Sequence, residues 1–399
     1  MANTHREQPA SAEKYGELFS VGPPYRLQAV LGLIGPEDLR IKRRALIAAL
    51  VAWLPLAVLT AIRGDFAHES GGQSLLSDFG VHARFLVAIP MLILADAMCG
   101  PRLGSTARHF IDARLVASAD RARFDAAVAS TRKLRDSTLV EIAVVILAYA
   151  LVSALSYSVL ESDVQGWHRS DPGRGLNPSP AGWWGLLVSL PILLILILGW
   201  AWRWILWTRL LWLVSRLDLR LIPSHPDRAA GLRFVSYTVR AWWPLGFTLG
   251  AIVAGVLATK IVHHEAVLFD YRYGITAVAL TPVALFTAPL LVFFGKLLEA
   301  WRRGLFEYGE LVDRFGRHFE RKWLQQQAHT DDSILERPDF SAATDLYQVA
   351  DRVHEMRLVP VDFRSLVMLA VATLLPFAPV VLLGLPFDDI VSALAGLLF

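Results

Sequence analysis

The sequence predicts an all-α, polytopic membrane protein with about seven transmembrane helices and helical cytoplasmic extensions. Its 399 residues are 54% hydrophobic and only 19% charged, and the mean hydropathy is +0.43. Soluble chains carry about 25% charged residues. Seven apolar runs approach the length of about 20 residues that a helix needs to cross a bilayer, and basic residues concentrate between alternate runs. These observations exclude a disordered chain, a collagen-like fibre and a disulfide scaffold.

The apolar runs place the predicted spans. One further apolar stretch, residues 385–399, is too short to cross a bilayer and carries Asp388 and Asp389 near its start. We expect it to form an interfacial or re-entrant helix, with an eighth half-span as the alternative. The seven predicted spans are 45–62, 81–99, 139–160, 183–204, 242–262, 275–295 and 366–384.

Lysine and arginine predict the orientation of these spans. Four segments, 1–44, 100–138, 203–240 and 296–365, hold 33 of the 39 basic residues. With seven spans, all four segments fall on one side of the membrane, and basic loops face the cytoplasm. The sequence therefore predicts a multi-pass protein of the plasma membrane with a cytoplasmic N-terminus. Orientation accounts for the basic charge, so the bilayer is an expected partner and nucleic acid is not.

The chain divides into four predicted parts. They are a cytoplasmic N-terminal segment (1–44), spans one to six with cytoplasmic helical loops at 100–138 and 205–240 (45–295), a cytoplasmic helical region (296–365), and span seven with a short apolar C-terminal segment (366–399).

Two of the cytoplasmic loops are predicted to extend the spans. Residues 105–138 contain no helix breaker after Gly104, so we expect a helix that runs straight into span three. Residues 203–222 alternate arginine with leucine and tryptophan, which predicts that span four continues as an amphipathic helix along the membrane surface.

A heptad-like seam follows span six. Its apolar residues step by four and three positions, which is typical of a helix that packs along one side. This seam, within residues 301–319, could pack on the 105–138 helix of the same chain, or on a second copy to form a homo-oligomer. The seam residues are Trp301, Leu305, Tyr308, Val312, Phe315 and Phe319.

Prolines and charged residues are energetically unfavourable inside a membrane span. Those found here are candidate sites for ion or solute transport. Span six contains Pro282 and Pro289, flanked by Thr281 and Thr287, which favours a broken or pore-lining helix. The alternative is that proline is simply commoner in membrane helices than in soluble ones.

Two charged side chains complete the transport candidates. Asp96 is the deepest carboxylate, so it is the first candidate for ion or proton coupling, the alternative being a structural pair with an arginine such as Arg102. Lys260 lies at the outer end of span five.

The histidines of the outer loops are weak metal-site candidates. His82, His263 and His264 lie near carboxylates, and imidazole could bind zinc or the iron of a haem. No HExxH, HxxxH or CxxCH spacing is present, which favours solvated loops instead. The single cysteine, Cys99, excludes an internal disulfide and a CxxC motif, and no cofactor is predicted.

The most distinctive string is IPSHPDRAAGLRF, residues 222–234, between spans four and five. Its prolines end the preceding helix and stiffen the turn. His225, Asp227 and Arg228 could form a gating or docking turn, in which Asp227 pairs with an arginine; the alternative is a stiff cap between two helices. The tripeptide HPD also occurs in J-domain cochaperones, but there it joins two soluble helices.

The later part of the chain resembles a family of bacterial polytopic membrane proteins that carry an HPDRxxGL motif in a cytoplasmic loop. The strings HPDRAAGL, LLEAWRRGLFEYGELVDRF and MRLVPVDF carry the resemblance, which covers span four to the C-terminus. It implies a location in the bacterial inner membrane. It implies no activity, substrate or site.

The leading functional prediction is an ion channel or a secondary transporter for an ion or small solute. Bent spans, a buried Asp96 and the absence of a catalytic constellation favour it. The alternative is a membrane-embedded oligomeric scaffold or signalling protein that acts through its cytoplasmic helices. A metal- or haem-dependent membrane enzyme that uses the outer histidines is the third hypothesis.

Overall fold

The computed structural model describes residues 18–19, 41–67, 74–161, 166–168, 178–264, 268–325 and 339–384. This part of the chain is 85% helical and contains no strand. Seven of its helices are long and apolar enough to cross a membrane, and each overlaps one of the predicted apolar runs. The prediction of an all-α polytopic protein is thereby confirmed. The interfacial helix expected at 385–399 lies outside the described residues, as does most of segment 1–44.

The seven spans, numbered in chain order, form the helical bundle. The helix of span three runs over Thr138–Glu161, and the helix of span six continues to Gln325. The spans are Ile41–Arg63, Phe79–Asp112, Thr138–Leu155, Pro180–Ser215, Arg233–His263, Leu268–Leu324 and Phe363–Leu383. Two further helices, Arg121–Arg135 and Asp339–His354, connect them at one end of the bundle.

Four spans change their helical winding next to a proline. Spans two and four contain a π-helical turn, Ala83–Ala88 and Gly185–Ser189, just before Pro90 and Pro191. Spans six and seven contain 3₁₀ turns, which include Pro289 and Pro376 near their starts. Proline cannot donate the backbone hydrogen bond that would continue a regular α-helix, so the turn before it rewinds.

The basic segments contact one another at one end of the bundle, which we call the basic end. Val116 pairs with Leu219, Arg303 donates to the carbonyl of Leu221, and Arg357 N donates to the carbonyl of Arg228. The loops after spans two, four and six, and the segment before span seven, are therefore on the same side, as the distribution of basic residues predicts.

The expected continuous helix over 105–138 is wrong. The helix of span two ends at Asp112, Arg114 takes a left-handed φ of 54°, and a separate helix Arg121–Arg135 follows. The buried carboxylate of Asp120 accepts a hydrogen bond of 2.7 Å from the backbone N–H of Asp218, and it pairs with Arg123. This contact draws the chain out of helix and against residues 216–220, which is a long-range effect that local propensity does not contain.

The helix expected to continue span four over 203–222 forms only as far as Ser215. Span four ends at Ser215, and the chain beyond it is extended, with Leu217, Leu219 and Leu221 buried. Before Ser215 one face of the helix, with Arg203 and Trp207, is buried within the bundle. The pattern of arginine and leucine here reflects packing against neighbouring helices on several sides.

The heptad seam packs on Asp339–His354 and not on 105–138, so that expectation is wrong. Gly304 packs against Val353, and Phe319 meets Phe340 edge-on with ring centroids 5.1 Å apart. The side chains of the seam are half-buried by this intramolecular contact. Association of a second copy through residues 301–319 stays a prediction.

Spans five and seven approach each other at two glycines, Gly246 and Gly250, which form a GxxxG pair. A Cβ at Gly246 would lie 2.6 Å from the hydroxyl of Thr373, and a Cβ at Gly250 would overlap the carbonyl oxygen of Thr373. Because that oxygen belongs to the backbone, it cannot move away by a change of side-chain rotamer. Close contact of the two helix backbones therefore depends on both glycines.

Gly250→Ala should lower the free energy of unfolding by about 1–3 kcal/mol, the usual cost of overpacking. The measurement is reversible unfolding in detergent micelles, followed by circular dichroism. Gly274→Ala is the matched control, because a Cβ at Gly274 meets nothing within 4 Å. Equal stabilities of the two variants would show that spans five and seven do not approach as described.

Candidate functional site

A buried cluster of three charged side chains joins spans one, two and four. We call it the ionic centre. One oxygen of Asp96 accepts a hydrogen bond of 3.1 Å from Arg44, and the other accepts one from Arg203. All three side chains are 5–7% exposed. An aspartate buried this deeply is stable only when paired, so each arginine supports the fold through Asp96.

Neighbouring aromatic and sulfur groups enclose the ionic centre. The indole of Trp200 lies 4.3 Å from the guanidinium of Arg203, in a cation–π contact, and its N–H donates to the carbonyl of Leu92. The thiol of Cys99, one turn below Asp96, donates to the carbonyl of Ala241 in span five. The cluster is thereby fixed against spans two, four and five.

The geometry changes the interpretation of Asp96. The sequence suggests Arg102 as a structural ion-pair partner of Asp96. The observed partners are instead Arg44 and Arg203, which are 52 and 107 residues away. Both carboxylate oxygens are engaged by guanidinium groups from two other spans. The arrangement fits a latch between three helices.

A mostly apolar cavity of about 340 Å³ lies beside the ionic centre. Trp200 lines the cavity and also covers Arg203, so a single indole separates the two. Two of the predicted transport residues, Thr281 and Pro282, line the opposite wall. The cavity is formed by spans two, four, five and six, and its lining residues are Leu92, Ile197, Trp200, Ala201, Trp204, Ile205, Leu245, Thr248, Leu249, Ile252, Thr281, Pro282, Leu285 and Phe286.

Three backbone carbonyl groups that lose their helical donor because of a proline accept a hydrogen bond from an aromatic side chain instead. A proline at position i leaves the carbonyl at i−4 without its helical donor. At these three positions the carbonyl accepts from a neighbouring span, so it is not open to an ion. The pairs are Trp184 to Val51 for Pro55, Tyr149 to Leu187 for Pro191, and Trp204 to Leu285 for Pro289, with donor–acceptor distances of 3.1, 3.1 and 3.2 Å.

The four predicted residues of span six therefore differ in their surroundings. Pro289 is buried and its released carbonyl is occupied, whereas no side chain that the structure describes donates to Val278, the carbonyl released by Pro282. Thr281 donates to the carbonyl of Ala277. The hydroxyl of Thr287 is buried and has no hydrogen-bond partner among the described residues.

The remaining outer candidates lie far from the ionic centre. Lys260 is near the opposite end of span five, 5.8 Å from the ring of Tyr271. His82 accepts from the indole of Trp53 and donates to the carbonyl of Leu76, so neither ring nitrogen is open to a metal.

The other two histidines do not complete a metal site. His263 contacts the carbonyl of Thr259 through Nδ1, and the side chain of His264 lies outside the described residues. In the part of the chain that is described, no three histidine, cysteine or carboxylate side chains come together at metal-binding distance.

Residues 222–234, called the HPDR turn, are organised by Asp227. Its carboxylate accepts hydrogen bonds from three backbone N–H groups, those of Ala229, Gly231 and Arg233, at 2.8–3.1 Å. His225 Nδ1 lies 2.9 Å from the same carboxylate. Asp227 thus holds the turn through its own backbone and also caps the start of span five, rather than pairing with an arginine as the gating hypothesis supposed.

The HPDR turn is a junction between three helices. Arg228, with a left-handed φ of 58°, pairs with Glu355 at 3.1 Å. Ser224 and Tyr308 share a hydrogen bond of 2.9 Å, which ties the turn to the helix of span six. The turn therefore contacts both arms of the helical region between spans six and seven.

A second buried carboxylate, Asp362, precedes span seven directly. It pairs with Arg233 at 2.8 Å and with Arg240 at 2.6 Å, and it accepts from the hydroxyl of Ser365 at 3.2 Å. Both arginines belong to the beginning of span five, so this network fixes the start of span seven to span five. We call these four side chains the Asp362 network.

Acid should loosen the HPDR turn. Burial acts to raise the pKa of Asp227, but the three backbone N–H donors and His225 outweigh it, and the pKa is lower than usual. Its stabilisation is therefore complete above the ordinary aspartate pKa of about 3.9 and is lost as the pH falls through the lower, folded-state value. Amide hydrogen exchange at Ala229, Gly231 and Arg233 should accelerate in that range, relative to neighbouring helical amides.

Asp227→Asn is the matched test of this pH dependence. It should give fast exchange at these amides at neutral pH and remove the acid-induced change, since the titrating group is absent. Protection that is equal in the variant and the wild type would contradict the role of Asp227.

Comparisons of the chain with protein-family models, with curated proteins and with solved structures find no match. The candidate sites therefore depend on their geometry. Sequence reasoning identified Asp96 and Asp227 but not the arginines that complete the ionic centre, nor Asp362. The MRLVPVDF string before span seven and the arginines at the beginning of span five are visible signals, but their pairing is a long-range contact.

Proposed function

We propose that this multi-pass membrane protein is a channel or secondary transporter for an ion or small solute, and that the ionic centre closes its pathway at the basic end. The observation that carries the proposal is the buried Arg44–Asp96–Arg203 cluster, which links three spans beside a cavity. Ionisable residues within a membrane protein are costly and commonly mark a substrate or ion path.

The position of the ionic centre relative to the cavity supports this role. Leu92 and Trp200 line the cavity, and Asp96 and Arg203 follow them by about one helical turn toward the basic end. A solute that moved from the cavity toward that end would meet Trp200 and then the ion pairs. The rewound turns in spans two, four, six and seven supply places where these helices could bend to open such a path.

Flux through purified protein in proteoliposomes tests the proposal, with imposed potassium, sodium, chloride and proton gradients. We expect reproducible flux in the wild type and its loss in Ala201→Phe, because Ala201 lines the cavity and a phenyl ring there would narrow it. Ile146→Phe, on the exposed face of span three, is the control and should leave flux unchanged. Absence of flux under every gradient, or flux that Ala201→Phe does not alter, would overturn the proposal.

The cytoplasmic orientation and the bacterial inner-membrane location belong to the same proposal. Four basic segments at one end support the orientation, since such segments face the cytoplasm. The resemblance of the HPDRAAGL region to bacterial membrane proteins supports the location.

A membrane-embedded oligomeric scaffold is the second candidate function. In the helix that continues span six, Phe306 is 79% exposed and Leu324 is 75% exposed. Large exposed apolar side chains in a polar region favour a contact with a second copy. Light scattering in mild detergent should then show a dimer in the wild type and a monomer in Phe306→Asp, and a monomeric wild type would exclude this candidate.

A further inference from the structure

A basic pocket of about 460 Å³ opens at the basic end, outside the ionic centre and the apolar cavity. It lies between the end of span two, the extended segment 216–222, the HPDR turn and the beginning of span five. The charged side chains and histidines that line it are His109, Arg114, Arg220, His225, Asp227 and Arg233.

The lining of this pocket is predominantly basic. Arg114, Arg220 and Arg233 contribute three guanidinium groups, and two histidines add further nitrogen atoms. The one acidic lining residue is Asp227, and its carboxylate is already occupied by backbone N–H groups and by His225. The lining thus offers hydrogen-bond donors whose natural complement is an anion.

Two of these arginines are not committed to the fold. Arg114 and Arg220 are exposed, and neither forms an ion pair with any residue that the structure describes. Arg114 also adopts a left-handed backbone conformation, which is unusual for a residue with a side chain. Both side chains can therefore turn toward a ligand without breaking an existing ion pair.

The third arginine presents a donor that is already buried. The terminal nitrogen of Arg233 pairs with Asp362, but its Nε is buried and has no hydrogen-bond partner in the described part of the chain. A buried N–H without an acceptor costs free energy, and an anion in the pocket would supply the acceptor.

We propose that the pocket binds a phosphate-bearing small molecule, held by Arg114, Arg220 and Arg233. Guanidinium groups match the oxygens of a phosphate through paired N–H donors, and several arginines around one pocket favour a doubly charged group. The proposal is independent of solute transport through the apolar cavity.

The depth of the pocket indicates a soluble ligand rather than a lipid headgroup. The apolar run of span two ends at Cys99, and His109 lies ten residues further along the same helix, which is about 15 Å. The headgroup region extends only about 5–8 Å beyond the hydrocarbon core. The wall of the pocket formed by span two therefore reaches beyond the headgroups, where a dissolved phosphate ester can enter.

Isothermal titration calorimetry on the full chain in nanodiscs of neutral lipid tests the proposal, with inorganic phosphate, pyrophosphate and AMP as probes. We expect saturable binding of at least one probe, weakened tenfold or more in the double variant Arg114→Gln/Arg220→Gln. Both residues are exposed, so the variant should fold normally, and its melting temperature verifies this. Arg216→Gln is the control, since Arg216 is exposed nearby but stacks on Trp212 outside the pocket.

Several results would overturn the proposal. These are the absence of saturable binding of all three probes to the wild type, equal affinity in the double variant, and equal weakening by Arg216→Gln. A second arm uses nanodiscs that contain phosphatidylglycerol. If the arginine-dependent signal appears only as binding to that lipid, the phosphate chemistry holds and the soluble source is wrong.

Discussion

Asp96→Asn should lower the free energy of unfolding by about 3–5 kcal/mol, the cost of breaking a buried ion pair by removing one partner. Arg44 and Arg203 are 5–6% exposed, so neither guanidinium can turn to water when the carboxylate is lost. Asparagine keeps the size of the side chain, but it is neutral and its NH2 group places a donor where one arginine needs an acceptor. Unfolding in detergent micelles, followed by tryptophan fluorescence and circular dichroism, measures the loss.

Asp313→Asn is the matched control for Asp96→Asn. Asp313 also pairs with an arginine, Arg317, but both side chains are at least 60% exposed. Exposed pairs of this kind contribute about 0–1 kcal/mol. If the two variants were destabilised equally, the ionic centre would not be buried as described.

A triple replacement separates the structural role of the ionic centre from its role in transport. Arg44→Met, Asp96→Leu and Arg203→Met together remove all three charges and keep similar volumes. Such apolar replacements are commonly neutral or stabilising. We therefore expect the triple variant to recover the stability lost in Asp96→Asn and to show altered flux. Unaltered flux in a stable triple variant would remove the ionic centre from the pathway.

Asp362→Asn should have the second largest effect, a loss of about 3 kcal/mol in the free energy of unfolding. Asp362 is 5% exposed and joins two arginines of span five to the first residues of span seven. We place the value at the low end of the range for buried pairs because both arginines are more than a third exposed and can be partly hydrated after the change.

The Asp362 network also predicts a dependence on pH. Burial acts to raise the pKa of Asp362, but Arg233, Arg240 and Ser365 together hold it below the usual range. Its contribution is present above the unfolded-state pKa of about 3.9 and declines as the pH falls through the folded-state pKa. Unfolding curves of the wild type should lose stability in this acidic range, and Asp362→Asn should show a smaller loss.

Glu355→Gln is the control for this experiment. Glu355 pairs with Arg228 close by, but both partners are about half exposed, so its removal should cost less than about 1 kcal/mol. A pH dependence that is unchanged by Asp362→Asn would contradict the assignment.

The membrane spans were predictable because their signal is local. Each apolar run is read from consecutive residues, and the basic residues between runs predict which segments share one end. The ionic centre was only half predictable. Asp96 is conspicuous in an apolar run, but Arg44 and Arg203 resemble ordinary interfacial arginines until the fold brings them to it.

The incorrect predictions have a common physical cause, which is a long-range contact. Residues 113–120 leave the helix because Asp120 binds the backbone of Asp218, and helix propensity contains no information on that contact. The close approach of spans five and seven could have been anticipated, since Gly246 and Gly250 form the spacing that lets two membrane helices touch. The aromatic donors to the proline-released carbonyls again depend on which spans are neighbours.

The long helix beyond the 3₁₀ turn Ala288–Phe293 gives span six a mechanical property. Phe294–Glu320 is one uninterrupted rod of 27 residues, about 40 Å in length. A tilt of only about 10° at the rewound turn would carry its far end through about 7 Å, by the geometry of a rod of that length. By this geometry, a small bend near the apolar cavity corresponds to a large displacement at the far end of the rod.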